Sequence, residues 1–247
     1  MRRLAFVLLL WPGIVNAQER TRVALELVLA VDVSTSVNAD EFDLQRIGLF
    51  RAFRDPAVLA SIRAQGEAGI AVTVIQWAGK GRQRVAVDWQ QLNDEASTRR
   101  FARRIGAMRR MTGGFTDIAG AVRFSTASLL GNRFEGERMV IDVSGDGVAD
   151  QGSPPAARDA ALAQGIIING LAIFPQEYDL GALADQALFE HYRNDVTGGP
   201  GSFVIAALSF EDFPRAIREK LIREISGPAF AARPNVRTVS TAADGAL

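Results

Sequence analysis

Five oxygen-bearing side chains in three short stretches have the chemistry of a cation site: Asp32, Ser34 and Ser36 in Asp-Val-Ser-Thr-Ser, Thr116 in Gly-Gly-Phe-Thr-Asp, and Asp146 in Ser-Gly-Asp-Gly. If residues 32 to 36 form an extended turn, alternate positions project to one side, and one carboxylate and two hydroxyls converge on a point. Asp146 adds a second carboxylate and Thr116 a third hydroxyl. All are hard oxygen donors, which suit Mg²⁺ or Mn²⁺ and serve zinc or copper poorly. Mg²⁺ takes a near-octahedral set at about 2.0–2.1 Å and keeps waters where the protein offers few direct charges. Five groups cannot fill six positions, so at least one position faces solvent. A cation held largely by neutral hydroxyls stays electron-poor and attracts a carboxylate from another molecule. The competing reading makes Asp32 and Asp146 simple caps of loops and helix starts.

The elements around these stretches must bring them together. Val23 to Val33 and Arg138 to Ser144 are apolar, β-branched runs, as expected of strands buried on both faces of a parallel sheet. Ile166 to Ile173 and Phe203 to Ala207 read as two more strands. Gly69 to Ala78 and Arg84 to Val87 form a hairpin across Gly79-Lys80-Gly81. Helices are expected after Asn38, whose spacing to Glu41 is that of a capping box, with Leu44, Ile47 and Phe50 on its inner face until Asp55-Pro56 stops or bends it. Others run over Asp94 to Met108, from near Asp117 through Leu129, from Ser153-Pro154-Pro155 to Gly165, over Leu180 to Tyr192, and over Phe210 to Ile225. Strands alternating with helices predict a doubly wound α/β domain: a mostly parallel central sheet with one antiparallel edge strand and helices on both faces, over residues 22–226. Ligands of such sheets sit at the carboxyl ends of the strands, where all three stretches fall.

On these residues the chain resembles the von Willebrand factor type A domain and its metal-ion-dependent adhesion site. That pattern has Asp-x-Ser-x-Ser on the first loop, matched by Asp32, Ser34 and Ser36. It has a Thr on the second, matched by Thr116, and an Asp on the third, matched by Asp146. The order of strands and helices is also similar, over about Val23 to Ile225. The chain departs from the pattern at Phe115, inserted between Gly-Gly and Thr, which could shift Thr116. It departs again at Gly145, where Thr is usual, a change expected to remove only an outer hydroxyl. The Ser-Gly-Asp-Gly form resembles, more narrowly, a bacterial family of uncharacterised secreted proteins. The resemblance implies a Rossmann-like fold, a Mg²⁺ or Mn²⁺ ion at the five residues, and a protein partner that supplies an Asp or Glu carboxylate.

Composition narrows the rest. With 247 residues, 48% apolar and 23% charged, the chain is long enough and apolar enough to bury its own core. It has no cysteine and one histidine, His191, so thiol catalysis, iron–sulfur clusters and Cys- or His-based zinc sites are excluded or unlikely on composition alone. Its 28 basic and 28 acidic residues cancel, leaving no overall field to draw nucleic acid or an anionic membrane. Met1-Arg2-Arg3, the apolar run from Leu4 and the small residues Val15 and Ala17 read as a signal peptide over residues 1–17. The run is too short to span a bilayer. The mature chain is expected in the periplasm or outside the cell, without a membrane span, and residues 227–247 as a flexible tail. No oligomeric state is specified.

Other polar residues have structural readings. Asp142, within an apolar strand, needs an arginine or hydroxyl partner. Asp117 and Asp150 flank the site as caps or as partners of metal-bound water. His191 falls on the stripe Leu180, Leu183, Ala187 and should border the core; no Gly-x-Ser-x-Gly elbow accompanies it. Arg99, Arg100, Arg103 and Arg104, with Arg109 and Arg110 beyond, read as a solvated face balanced by Asp94 and Glu95, and alternatively as an anionic docking patch. A cation-binding module is thus expected, with no catalytic constellation. The alternatives are a metal-assisted phosphoester hydrolase with Asp32 as nucleophile and a structural or assembly subunit that leaves the site unused. The hydrolase reading wants an acid at position 34, where Ser34 stands, and a lysine nearby, of which the chain has only Lys80 and Lys220.

Overall fold

A computed structural model describes residues 19–111, 113–174 and 181–227. The leader, the last twenty residues, Thr112 and Leu180 lie outside them. Six strands form one sheet in the order β3-β2-β1-β4-β5-β6: β1 (Thr21–Asp32), β2 (Ile70–Trp77), β3 (Gln83–Leu92), β4 (Phe134–Gly145), β5 (Ile166–Ile173) and β6 (Val204–Ala207). All pairs are parallel except β2 with β3, which places the antiparallel strand at one edge as expected.

The two faces are covered by different helices. Leu25, Leu27, Leu29 and Val31 of β1 point to one side, where α1 (Ala39–Ala52), α2 (Pro56–Arg63), α3 (Glu95–Gly106) and α7 (Phe213–Ser226) supply Leu49, Ile62, Phe101 and Phe213. Val28 and Ala30 point to the other, against α4 (Ile118–Gly131), α5 (Pro154–Leu162) and α6 (Gly181–His191) with the π-helical turn Tyr192–Val196. This alternation of period two explains why β1 and β4 read as continuous apolar runs.

Local chemistry sets the boundaries. Asn38 accepts from Asp40 N and Glu41 N while Glu41 returns a bond to Asn38 N, so the capping box at α1 is formed. Its buried face, however, is centred on Phe42, Gln45, Gly48 and Leu49, with Leu44, Ile47 and Phe50 at the flanks. Asp55-Pro56 ends α1 and also starts α2: Asp55 caps Ala57 N at 2.8 Å, and proline at the first helical position loses no bond. Ser153 opens α5 without a side-chain cap bond.

Candidate metal centre

The register of the sheet brings the first and third stretches side by side. Val31 pairs with Ser144, so the ends of β1 and β4 stop together, with Asp32 and Gly145 as last strand residues. Beyond Asp32 the chain makes a tight turn, closed by Val37 N donating to Ser34 O at 3.1 Å, in place of the extended run expected. Ser34 N donates to Asp32 Oδ1 at 2.7 Å, Ser34 Oγ and Ser36 Oγ stand 3.1 Å apart, and Ser36 Oγ donates to Asp146 Oδ1 at 2.8 Å.

The second stretch is laid against the first. Thr35 N and Oγ1 both donate to Gly114 O, at 2.9 and 2.6 Å. Gly113 permits that approach, since a Cβ there would lie 2.8 Å from Val33 O and 3.0 Å from the carbonyl carbon of Ser34. The Arg110 guanidinium donates to Ser34 O at 3.2 Å and to Val37 O, tying the segment after α3 to the turn. Thr116 faces the third stretch: its Oγ1 would be 3.9 Å from a Cβ on Gly147. The inserted Phe115 points to solvent, two-thirds exposed, and Thr116 remains nearly buried.

Asp32, Ser34, Thr116 and Asp146 are buried, and Ser36 is open to solvent. Desolvation, reinforced by the neighbouring Asp146 carboxylate, pushes Asp32 up to about 8, and burial raises Asp146 as well. Among the described residues no lysine or arginine forms an ion pair with either, and Asp32 Oδ2 has no hydrogen-bond partner. Two buried carboxylates and three hydroxyls therefore face one another with acceptors in excess, a donor set that fits a hard divalent cation. Among the described residues no group of three or more His, Cys, Asp or Glu comes together, so the set depends on its hydroxyls.

The flanking residues divide between structural roles. Asp117 caps α4 through Gly120 N at 2.7 Å, with Arg123 3.7 Å away. Asp150 Oδ1 accepts from Thr116 N at 2.9 Å and fixes the second loop to the third. His191 is not on a core stripe, because Leu183 is 80% exposed and Ala187 faces solvent; Leu188 and Tyr192 are the buried pair. Its Nδ1 lies 2.8 Å from Asp195 Oδ2, and its Nε2 accepts from Ala149 N at 3.3 Å. Glu95 balances Arg99 and Arg63, but Asp94 is the α3 cap and Arg110 a loop tether. The partner of Asp142 is neither arginine nor hydroxyl: it is Lys220, fully buried on α7, with Nζ 2.7 Å from Asp142 Oδ1. A lysine reads as a surface residue by default, so nothing in the pattern of α7 marked it.

The chain shares its fold with von Willebrand factor type A domains. Proximal thread matrix protein 1 from the mussel byssus is similar at a TM-score of 0.58 and 14% identity, over 84% of this chain and 49% of that chain. The same mussel protein is also known with a zinc-occupied MIDAS motif, at 0.57 and 16% over 84% and 49%. The von Willebrand factor domain of the type V pili tip protein Mfa5 from Porphyromonas gingivalis is similar at 0.50 and 12%, over 81% of this chain and 97% of that one. This chain spans about half the length of the mussel protein. Residues 22–229 match the family described as "Protein of unknown function (DUF1194)", and the chain belongs to that family. No curated protein matches it by sequence.

Proposed function

We propose that this protein is an exported, non-catalytic binding module. It takes up Mg²⁺ or Mn²⁺ at Asp32, Ser34, Ser36, Thr116 and Asp146, and through that cation the Asp or Glu carboxylate of a partner protein. The observation that carries this reading is the pair of buried carboxylates at the adjoining ends of β1 and β4, linked through Ser34 and Ser36 and served by no cationic side chain among the described residues. A divalent ion would neutralise the pair and leave neutral hydroxyls as its remaining protein donors, so a carboxylate from outside is attracted to it. The mussel protein with zinc in its MIDAS motif supports the metal class, while hard oxygen donors argue for Mg²⁺ or Mn²⁺ here. Export rests on the leader at residues 1–17; among the described residues no helix is long and apolar enough to cross a membrane.

Neither lysine serves a phosphoester chemistry at Asp32. Lys220 is committed to Asp142 and Glu224, and Lys80 lies on the exposed turn between β2 and β3. Isothermal titration with Mg²⁺ and Mn²⁺ tests the reading. Saturable one-site binding is expected for the wild type and none for Asp32→Ala; equal uptake by both proteins refutes it. Amino-terminal sequencing of secreted material tests export, with Gln18 expected as the first residue.

A further inference from the structure

Beneath the five oxygens lie two fully buried side chains with no part in them, Trp77 and Tyr192. Trp77 is the last residue of β2 and pairs in register with Asp32. Tyr192 opens the π-helical turn on the same face of the sheet as Trp77, its ring packed over Gly170 of β5, where a Cβ would lie 2.9 Å from Cδ1. π-helical insertions of this kind occur mostly at functional positions.

The two meet at Gly145. A Cβ on that residue would stand 2.7 Å from Asp32 Oδ2, 2.7 Å from Tyr192 Oη and 3.2 Å from Trp77 Cζ2. Residue 145 thus has to be glycine for a reason other than loss of an outer hydroxyl: the space a side chain would take is bordered by the carboxylate, the phenol and the indole. Three polar atoms at this place lack a hydrogen-bond partner, Asp32 Oδ2, Tyr192 Oη and Trp77 Nε1. Buried polar groups are nearly always paired. These three are complementary, since an ionised carboxylate only accepts, an indole N–H only donates and a phenol does either.

We propose that Tyr192 and Trp77 are positioning residues of the cation site: their O–H and N–H, unbonded here, turn to the inner oxygen of Asp32 when an ion binds and fix how its carboxylate faces that ion. Outer donors of this kind set the orientation of metal-ligating groups, and their loss typically weakens metal binding by about ten- to a hundredfold. The inference rests on the cation-binding reading above, and its test separates the two.

Mn²⁺ is titrated calorimetrically into the wild type, Tyr192→Phe, Trp77→Phe and Gly145→Ala, and urea unfolding of each is followed in chelator. Tyr192→Phe keeps the ring over Gly170 and removes only the hydroxyl, so its urea midpoint should equal or exceed that of the wild type. Its Mn²⁺ affinity should nevertheless fall about tenfold or more. Trp77→Phe should lose affinity similarly, and Gly145→Ala should lose most of it. Wild-type affinity in Tyr192→Phe overturns the proposal and leaves the cation site standing. So does an affinity loss matched by an equal loss of stability in chelator. If the wild type binds neither Mn²⁺ nor Mg²⁺, the cation-binding reading falls and this proposal falls with it.

Discussion

Strand β4 and the loop that follows it each contribute an aspartate to a buried acidic cluster, and the two clusters differ in how their charge is met. Asp142, midway along the strand, shares its surroundings with Glu224, and Lys220 Nζ sits 2.7 Å from the first and 2.6 Å from the second. Asn169, opposite Asp142 on β5, donates to Glu224 at 2.9 Å. Asp146, just past the end of the same strand, is linked to Asp32 through Ser36 and Ser34, with no cationic side chain among the described residues joined to either. The chain carries its own cation where the helix α7 closes over the sheet. At the open end the proposed function assigns the balancing charge to an ion from solution. Burial of like charges without compensation is costly, so an unbalanced pair at a strand-end opening is itself a signal of a ligand.

That contrast can be broken at either cluster. Lys220→Met leaves Asp142 and Glu224 buried without their counter-charge and should cost about 3–5 kcal/mol in urea unfolding, the largest effect expected. At the open cluster the change has the opposite sense. Mg²⁺ or Mn²⁺ at a hundred times its dissociation constant should stabilise the wild type by about 2.7 kcal/mol, read as a rise in melting temperature, with no rise in Asp32→Ala.

A further effect belongs to pH. Burial, partly offset by Lys220, pushes Asp142 up to about 7 from its ordinary 3.8. Between those values the folded protein holds a proton that the unfolded chain has released, so this group's stabilisation is complete below about pH 4 and is lost as pH rises through about 7. Asp142→Asn should flatten that decline; an unchanged pH slope would show that Asp142 is not its source. The smallest change is Arg110→Met, which removes the bonds to Ser34 O and Val37 O. It should cost about 1 kcal/mol and weaken the cation a few-fold by loosening the turn that holds Ser34 and Ser36.

Much of this was legible in the residues, and the unread parts share physical causes. The central strands announce themselves because both faces are buried, and β5 matches its expected bounds, Ile166–Ile173. Strand β3 runs five residues past Val87, to Leu92, because an edge strand admits polar residues such as Gln90 and Gln91 that carry no apolar alternation. Helix α2 is hidden because Asp-Pro both ends one helix and starts another. Of the five oxygen-bearing residues picked out by type and spacing, Asp32, Ser34, Ser36 and Asp146 are linked by hydrogen bonds, and Thr116 lies beside Gly147. Lys220, Trp77 and Tyr192 are invisible locally, since each acquires its meaning from a partner far away in sequence, as Lys220 does from Asp142.

The bond from Ser36 to Asp146 spans 110 residues. The two halves of the donor set cannot meet until β4 has been made and has slotted in beside β1, which closes a long loop at an entropic cost. On the proposed function, uptake of the ion would report completed folding: a nascent or truncated polypeptide ending before residue 146 would be blind to the metal.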